Sequence, residues 1–164
     1  MSSRRLPRLR PPFVIATLCL TLLTLATGCG QRKNHPSATV TGKVMVGSKP
    51  VGGGIILFTL TENPNVIGTA YIRTDGTYEA TNAVPVGNCK VTVKTSHLNP
   101  VQPPAKPGDP PRKSPEYYAQ MSGDPKAGKA YTPVPAKYEA IDSTTLSHDV
   151  PAGESTYEIK LDEK

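Results

Sequence analysis

Single-residue alternation of apolar and polar side chains is the feature that most limits what this chain can fold into. The stretch "ATVTGKVMV" (38–46) puts Val40, Val44 and Val46 on one side and Thr39, Thr41 and Lys43 on the other. That period of two belongs to a strand with one buried face, because successive strand side chains point to opposite faces. "NCKVTVKTS" repeats it, with Cys89, Val91 and Val93 against Lys90, Thr92 and Lys94, and "TYEIKLD" sets Tyr157, Ile159 and Leu161 inward. "GGIILFTL" (53–60) is apolar throughout and reads as a more fully buried strand. The connections carry turn residues: "GSKP", "VPVG", and an Asp75-Gly76 pair between "IGTAYIR" and "TYEAT" that marks a hairpin. Beyond Cys29 no stretch of ten residues carries a convincing helical repeat, so the expected fold class is all-β, a small antiparallel β-sandwich.

One segment breaks this pattern. Of the chain's 18 prolines, ten fall between Pro100 and Pro135, a density a central strand does not tolerate because proline lacks a backbone donor. Residues 97–137 therefore form a long Pro-rich loop insertion, read first as a mobile excursion between two strands. Its composition supports a second reading. It holds Tyr117, Tyr118 and Tyr131 with six basic and three acidic residues, which suits a partner-binding surface that also offers polyproline II stretches. Within it, Ser114-Pro115 before "EYYAQM" suggests one or two helical turns, capped by Ser114 with Pro115 in the first turn.

The first 28 residues have the zones of a secretory signal: Arg4, Arg5, Arg8 and Arg10, then the apolar run Phe13 to Thr27, then Gly28. The run is short for a membrane span, which needs roughly 20 residues. Leu25, Ala26, Thr27 and Gly28 before Cys29 resemble the lipobox of bacterial lipoprotein signals, although a larger aliphatic residue is usual where Ala26 stands. The resemblance implies cleavage before Cys29 and a diacylglycerol on its thiol, leaving residues 29–37 as a lipidated tether. Each buried methylene of such chains contributes about 0.8 kcal/mol, and two chains anchor stably. The expected location is therefore exported and lipid-anchored to a bacterial cell envelope, on its periplasmic or outer-surface face, with the membrane as partner through Cys29.

Removing the signal also alters the charge. The whole chain is +6, but four arginines leave with the first 28 residues, so 15 basic and 13 acidic side chains remain. The basic excess that would suggest nucleic-acid binding largely disappears, and no nucleic-acid partner is expected. Cys19 lies in the signal and Cys29 at the lipid site, so Cys89 has no disulfide partner within the domain.

The order of the pieces is more specific than any one of them. "VTGKVMV", a turn at Lys49-Pro50, "GGGIILF", a Thr-Asp-Gly-Thr-Tyr step ending at Tyr78, and Pro85 and Gly87 before "CKVTVK" resemble the carboxypeptidase regulatory-like domain. The end, "VPAKYEAIDSTTLSHDVPAGESTYEIKLD", is similar to the closing segment of small bacterial lipoproteins that carry it. The resemblance covers Ala38 to Ser96 and Val134 to Asp162. It implies a transthyretin-like (prealbumin-like) sandwich of about seven strands over residues 38–162, interrupted by the Pro-rich insertion.

Catalytic and metal readings find little support. Ser147, His148 and Asp149 name a triad's members, yet strand neighbours face opposite ways. His35, His97 and His148 lack metal-ligand spacing, and Asp75, Asp109 and Asp142 are too dispersed for a calcium loop. Gly52 to Gly54 precede a strand without the lysine and helix of a P-loop. No enzyme activity, metal or cofactor is expected. The functional expectation is a noncatalytic envelope lipoprotein whose sandwich is a structural or protein- or glycan-interaction module. The alternative is an accessory protein that binds carbohydrate or peptide for an envelope degradative or uptake system.

Overall fold

The structure is a computed structural model that describes residues 35–101 and 111–163. The proposed signal, Cys29 and most of the tether lie outside the described residues. The chain divides after Asn34, and the unit that begins at His35 carries the described strands.

Nine strands form its sheet: β1 (Ser37–Val46), β2 (Lys49–Pro50), β3 (Gly54–Leu60), β4 (Ile67–Ile72), β5 (Thr77–Pro85), β6 (Gly87–Lys94), β7 (Ser147–Val150), β8 (Glu154–Thr156) and β9 (Ile159–Leu161). The order along the sheet is β2-β1-β5-β4-β3-β6-β7, and β8 and β9 pair with β1. The all-β, sandwich-like expectation holds, with nine strands rather than about seven. A second difference is that β8 and β9 lie parallel to β1, where wholly antiparallel pairing was expected. The reason is directional. β7 is antiparallel to β6, and one reversal at residues 151–153 sends β8 along the direction of β1.

That reversal also sets the curvature. From β8 through β1, β5, β4, β3 and β6 to β7 there are six strand spacings, about 29 Å if flat at ~4.8 Å each. Only Pro151, Ala152 and Gly153 join Val150 to Glu154, a reach of at most about 14 Å at ~3.5 Å per residue. The sheet must curl until its two ends approach, and the Thr39 amide donates to the Gly153 carbonyl at 2.8 Å where they meet.

The core fills the inside of this curl. Val40, Val44, Ile56, Phe58, Ile72, Tyr78, Val84, Val91, Val93, Val150 and Ile159 are buried in one cluster, largely the faces that alternation placed inward. Cys89 is also fully buried, and its thiol pKa is pushed up to about 11 by desolvation and the nearby Asp149 carboxylate. Tyr78 locks the seam between the first and last strands. Its hydroxyl donates to the Tyr157 carbonyl at 2.6 Å, and Gly42 lets that carbonyl approach, since a Cβ there would collide with it. The hairpin forms as its residues dictate. Gly76 has φ +83°, and the Asp75 carboxylate accepts from the Thr77 amide at 2.9 Å and the Thr77 hydroxyl at 2.6 Å.

Candidate functional site

The Pro-rich excursion is folded over much of its described part, residues 97–101 and 111–137. Helix α1 (Pro115–Ser122) starts where the sequence places it. Ser114 accepts from the Tyr117 amide, Pro115 occupies the first turn, and Gly123 closes the helix at φ +70°. Single 3-10 turns follow at Ala127–Lys129 and Ala136–Tyr138.

Polar ties to turns and strand ends hold this segment down. Asp124 accepts hydrogen bonds from the Thr74 amide (2.8 Å), the Thr74 hydroxyl and the Lys126 amide (2.9 Å). The Thr74 bonds are the main cause of a carboxyl pKa held below its usual value. Arg73 donates to the Ser122 carbonyl at 3.2 Å, a cation at the negative end of α1. Glu139 accepts from the Thr95 and Ser96 amides at 3.0 and 2.9 Å. Tyr138 is buried and donates to Asp162 at 3.0 Å. Gly52 to Gly54 prove to be a landing site. The Gly52 amide donates to Thr132 at 3.1 Å, and a Cβ at Gly53 would collide with the Ala127 carbonyl and lie 2.9 Å from that of Ala130.

These contacts give the domain two unlike ends. The start of β1 lies beside the β5–β6 and β7–β8 turns, where Pro36 accepts from the Val86 amide and Thr39 pairs with Glu154. The excursion leaves from the other end, after Lys94, and its helix docks on the Arg73–Gly76 turn between β4 and β5. The start of β1 and the excursion cap therefore occupy opposite ends of the curled sheet.

Two grooves flank the cap. The first, of about 490 Å³, lies between His97–Pro100 and the helix start, lined by Arg112, Lys113, Tyr118 and Lys129 among others. The second follows the outer face of the sheet. Register sets Thr156 beside Thr41, Thr41 beside Glu79, and Glu79 beside Tyr71, so these four side chains form one transverse row over β8, β1, β5 and β4. Two hollows of about 350 and 380 Å³ meet at Glu79, one adding Arg73, Thr81 and Gln120, the other Thr39 and Glu154. Glu79 pairs with Arg73 at 3.4 Å and accepts from Thr81 at 3.2 Å. Burial and a 3.2 Å hydroxyl contact with Tyr117 push the Tyr71 pKa up to about 12, so its phenol stays protonated at neutral pH.

The sequence-derived tyrosines divide among different roles. Tyr118 is buried and lies against the His97 ring, centroids 4.6 Å apart. Tyr117 is half-buried, touching Tyr71 through its hydroxyl and lying under the Lys113 ammonium at 5.0 Å. Tyr131 is half-buried near the segment that packs on the glycines. Leu25, Ala26, Thr27, Gly28 and Cys29 lie outside the described residues. Alternation marked Thr39 and Thr41 as outward-facing, but the row they make with Glu79 and Tyr71 depends on pairing between distant segments and was not read from the sequence.

The triad names on β7 do not converge. His148 is half-buried and stacks on Tyr157 at 4.2 Å, while Ser147 and Asp149 are exposed. Among the described residues no group of three His, Cys, Asp or Glu is placed to hold a metal ion, and no helix is long and apolar enough to cross a membrane.

No family model matches the chain, and no curated protein matches it. Among solved structures it is similar to a DUF3823 family protein from Parabacteroides merdae ATCC 43184, with a TM-score of 0.41 and 10% identity. That alignment covers 78% of this chain and 47% of the other, so this chain spans about half the length of its structural neighbour.

Proposed function

We propose that this protein is a noncatalytic envelope lipoprotein, anchored through Cys29, whose carboxypeptidase regulatory-like β domain presents an interaction surface away from the membrane. The separation of the start of β1 from the excursion cap is the observation that carries this reading. Seven residues lie between Cys29 and Ser37, which limits the tether to about 28 Å at ~3.5 Å per residue. A domain held so close by the start of β1 leaves its opposite end, with the basic groove and α1, available to other envelope components. Support for the anchor itself is the Leu25–Cys29 sequence.

Metabolic labelling with an alkyne-bearing palmitate tests the anchor. The wild type is expected to incorporate label and sediment with membranes, and Cys29→Ser to lose both; label retained in Cys29→Ser would refute the anchor. In-cell photo-crosslinking from position 120, in α1, tests the module, with position 152 at the opposite end as control. Specific adducts from position 120 alone are expected, and equal silence at both positions would argue against a presented surface. The accessory carbohydrate-binding reading is favoured by one further observation, the polar row on the outer face.

A further inference from the structure

We infer that the row Thr156–Thr41–Glu79–Tyr71, with Arg73, Thr81 and Gln120 beside it, is a binding groove for an uncharged oligosaccharide. This rests on the interaction-module reading and names the ligand class.

The length and chemistry of the groove point to this class. Four strands at ~4.8 Å spacing make the row about 14 Å long, room for a short chain rather than a single ring. Its walls carry hydroxyls (Thr39, Thr41, Thr81, Thr156), planar polar groups (Glu79, Arg73, Gln120) and one aromatic, Tyr71. Sugar hydroxyls both donate and accept, so they suit a surface that offers carboxylate acceptors and guanidinium and amide donors side by side. Those charge-assisted bonds supply most of the directionality. The carbon–hydrogen face of a sugar ring can pack on the Tyr71 side of the groove.

Other polymers fit less well. A peptide recognised by strand addition needs an open sheet edge, but at this row β1, β5 and β4 each have a neighbour on both sides. The edge that β8 leaves, paired among the described residues with β1 alone, lies at the end of the row and not along it. A polyanion needs excess positive charge, and here the one cation among the described lining residues, Arg73, is paired with Glu79 while Glu154 adds a second carboxylate. The basic groove beside Lys113 and Lys129 has the opposite character, which makes it an internal control.

The experiment uses full-length protein in detergent micelles and isothermal titration with neutral hexasaccharides of glucose and of N-acetylglucosamine. Hexagalacturonate and an acidic peptide serve as charged probes. At least one neutral hexasaccharide is expected to bind. Glu79→Gln should weaken it about tenfold or more, as loss of a hydrogen bond to a charged group does. Tyr71→Phe, which keeps the ring, should weaken it less than Tyr71→Ala, and Lys113→Ala with Lys129→Ala should leave it unchanged. Circular dichroism of each variant establishes that it folds. Failure of every neutral probe to bind folded wild type overturns the inference, as does binding that survives Glu79→Gln and Tyr71→Ala or is lost only with the two lysines. If the hexasaccharides fail while position 120 still crosslinks, the glycan assignment falls and the module reading stands; if both fail, the module reading falls too.

Discussion

The curled sheet and the excursion that caps it are held by different forces. Inside the sheet, Ile56, Phe58, Val91 and Val93 are fully buried with little polar company, so stability scales with apolar area and depends weakly on any one contact angle. Among its described residues the excursion places only Tyr118 and Ala127 among the buried hydrophobic residues, both outside the main cluster, and Tyr138, which joins that cluster, follows just after it. It is fixed instead by Asp124 on Thr74, Glu139 on Thr95 and Ser96, and the close fit at Gly53. Hydrogen bonds of this kind each contribute about 0.5–1.5 kcal/mol net, more when a charge takes part. The excursion should therefore open locally while the sheet remains folded.

The sharpest way to break this contrast is Phe58→Ala. Removing that ring should cost about 3–5 kcal/mol and lower the denaturant midpoint of the sheet, with the excursion open at or below that midpoint; an excursion that stayed closed after the sheet had unfolded would show it to be independent of the sheet. Gly53→Val comes next, at about 1–3 kcal/mol. It forces a side chain against the Ala127 carbonyl, and the expected sign is new tryptic cleavage after Lys126 and Lys129 without loss of strand signal.

Acid provides a subtler probe. The folded-state pKa of Asp124 is lowered by its Thr74 bonds, so its stabilisation is full above the unfolded value near 3.9 and fades as pH falls through the lower folded value. The Thr74 amide resonance should hold steady from neutral pH down to about pH 4 and then move, whereas in Asp124→Asn this acid transition should be absent. The smallest effect belongs to Ser114→Ala. An N-cap loss costs roughly 0.5–2 kcal/mol, and the long 3.4 Å bond to the Tyr117 amide places this one at the low end, visible as faster exchange in the first turn of α1.

The same division decides how much was legible in the sequence. Val40 and Val44, Cys89 to Val93, and Ile159 with Leu161 announced their buried faces because strand alternation is local, and Asp75-Gly76 announced its turn because the turn's φ demand is local. Ser114-Pro115 marked the helix start for the same reason. What could not be read depends on partners far along the chain. The role of Gly53 is of this kind, because the Ala127 and Ala130 carbonyls it accommodates lie more than seventy residues later. The parallel placement of β8 and β9 follows from counting strand reversals, which requires the whole topology. The row from Thr156 to Tyr71 combines register across three strand pairs, and composition gives no hint of register.

The pairing of β1 with β8 has a consequence in time. Thr41 and Thr156 meet across a separation of 115 residues, so the first strand made by the ribosome waits for nearly the last. Contacts of such long range slow folding, because the chain must close a large loop before any energy returns. Until the C-terminal segment is free, β1 lacks the neighbours on one of its edges, and the seam that Tyr78 locks cannot form. A nascent chain of this topology keeps one edge of β1 unpaired through most of its synthesis, a state compatible with the export proposed above.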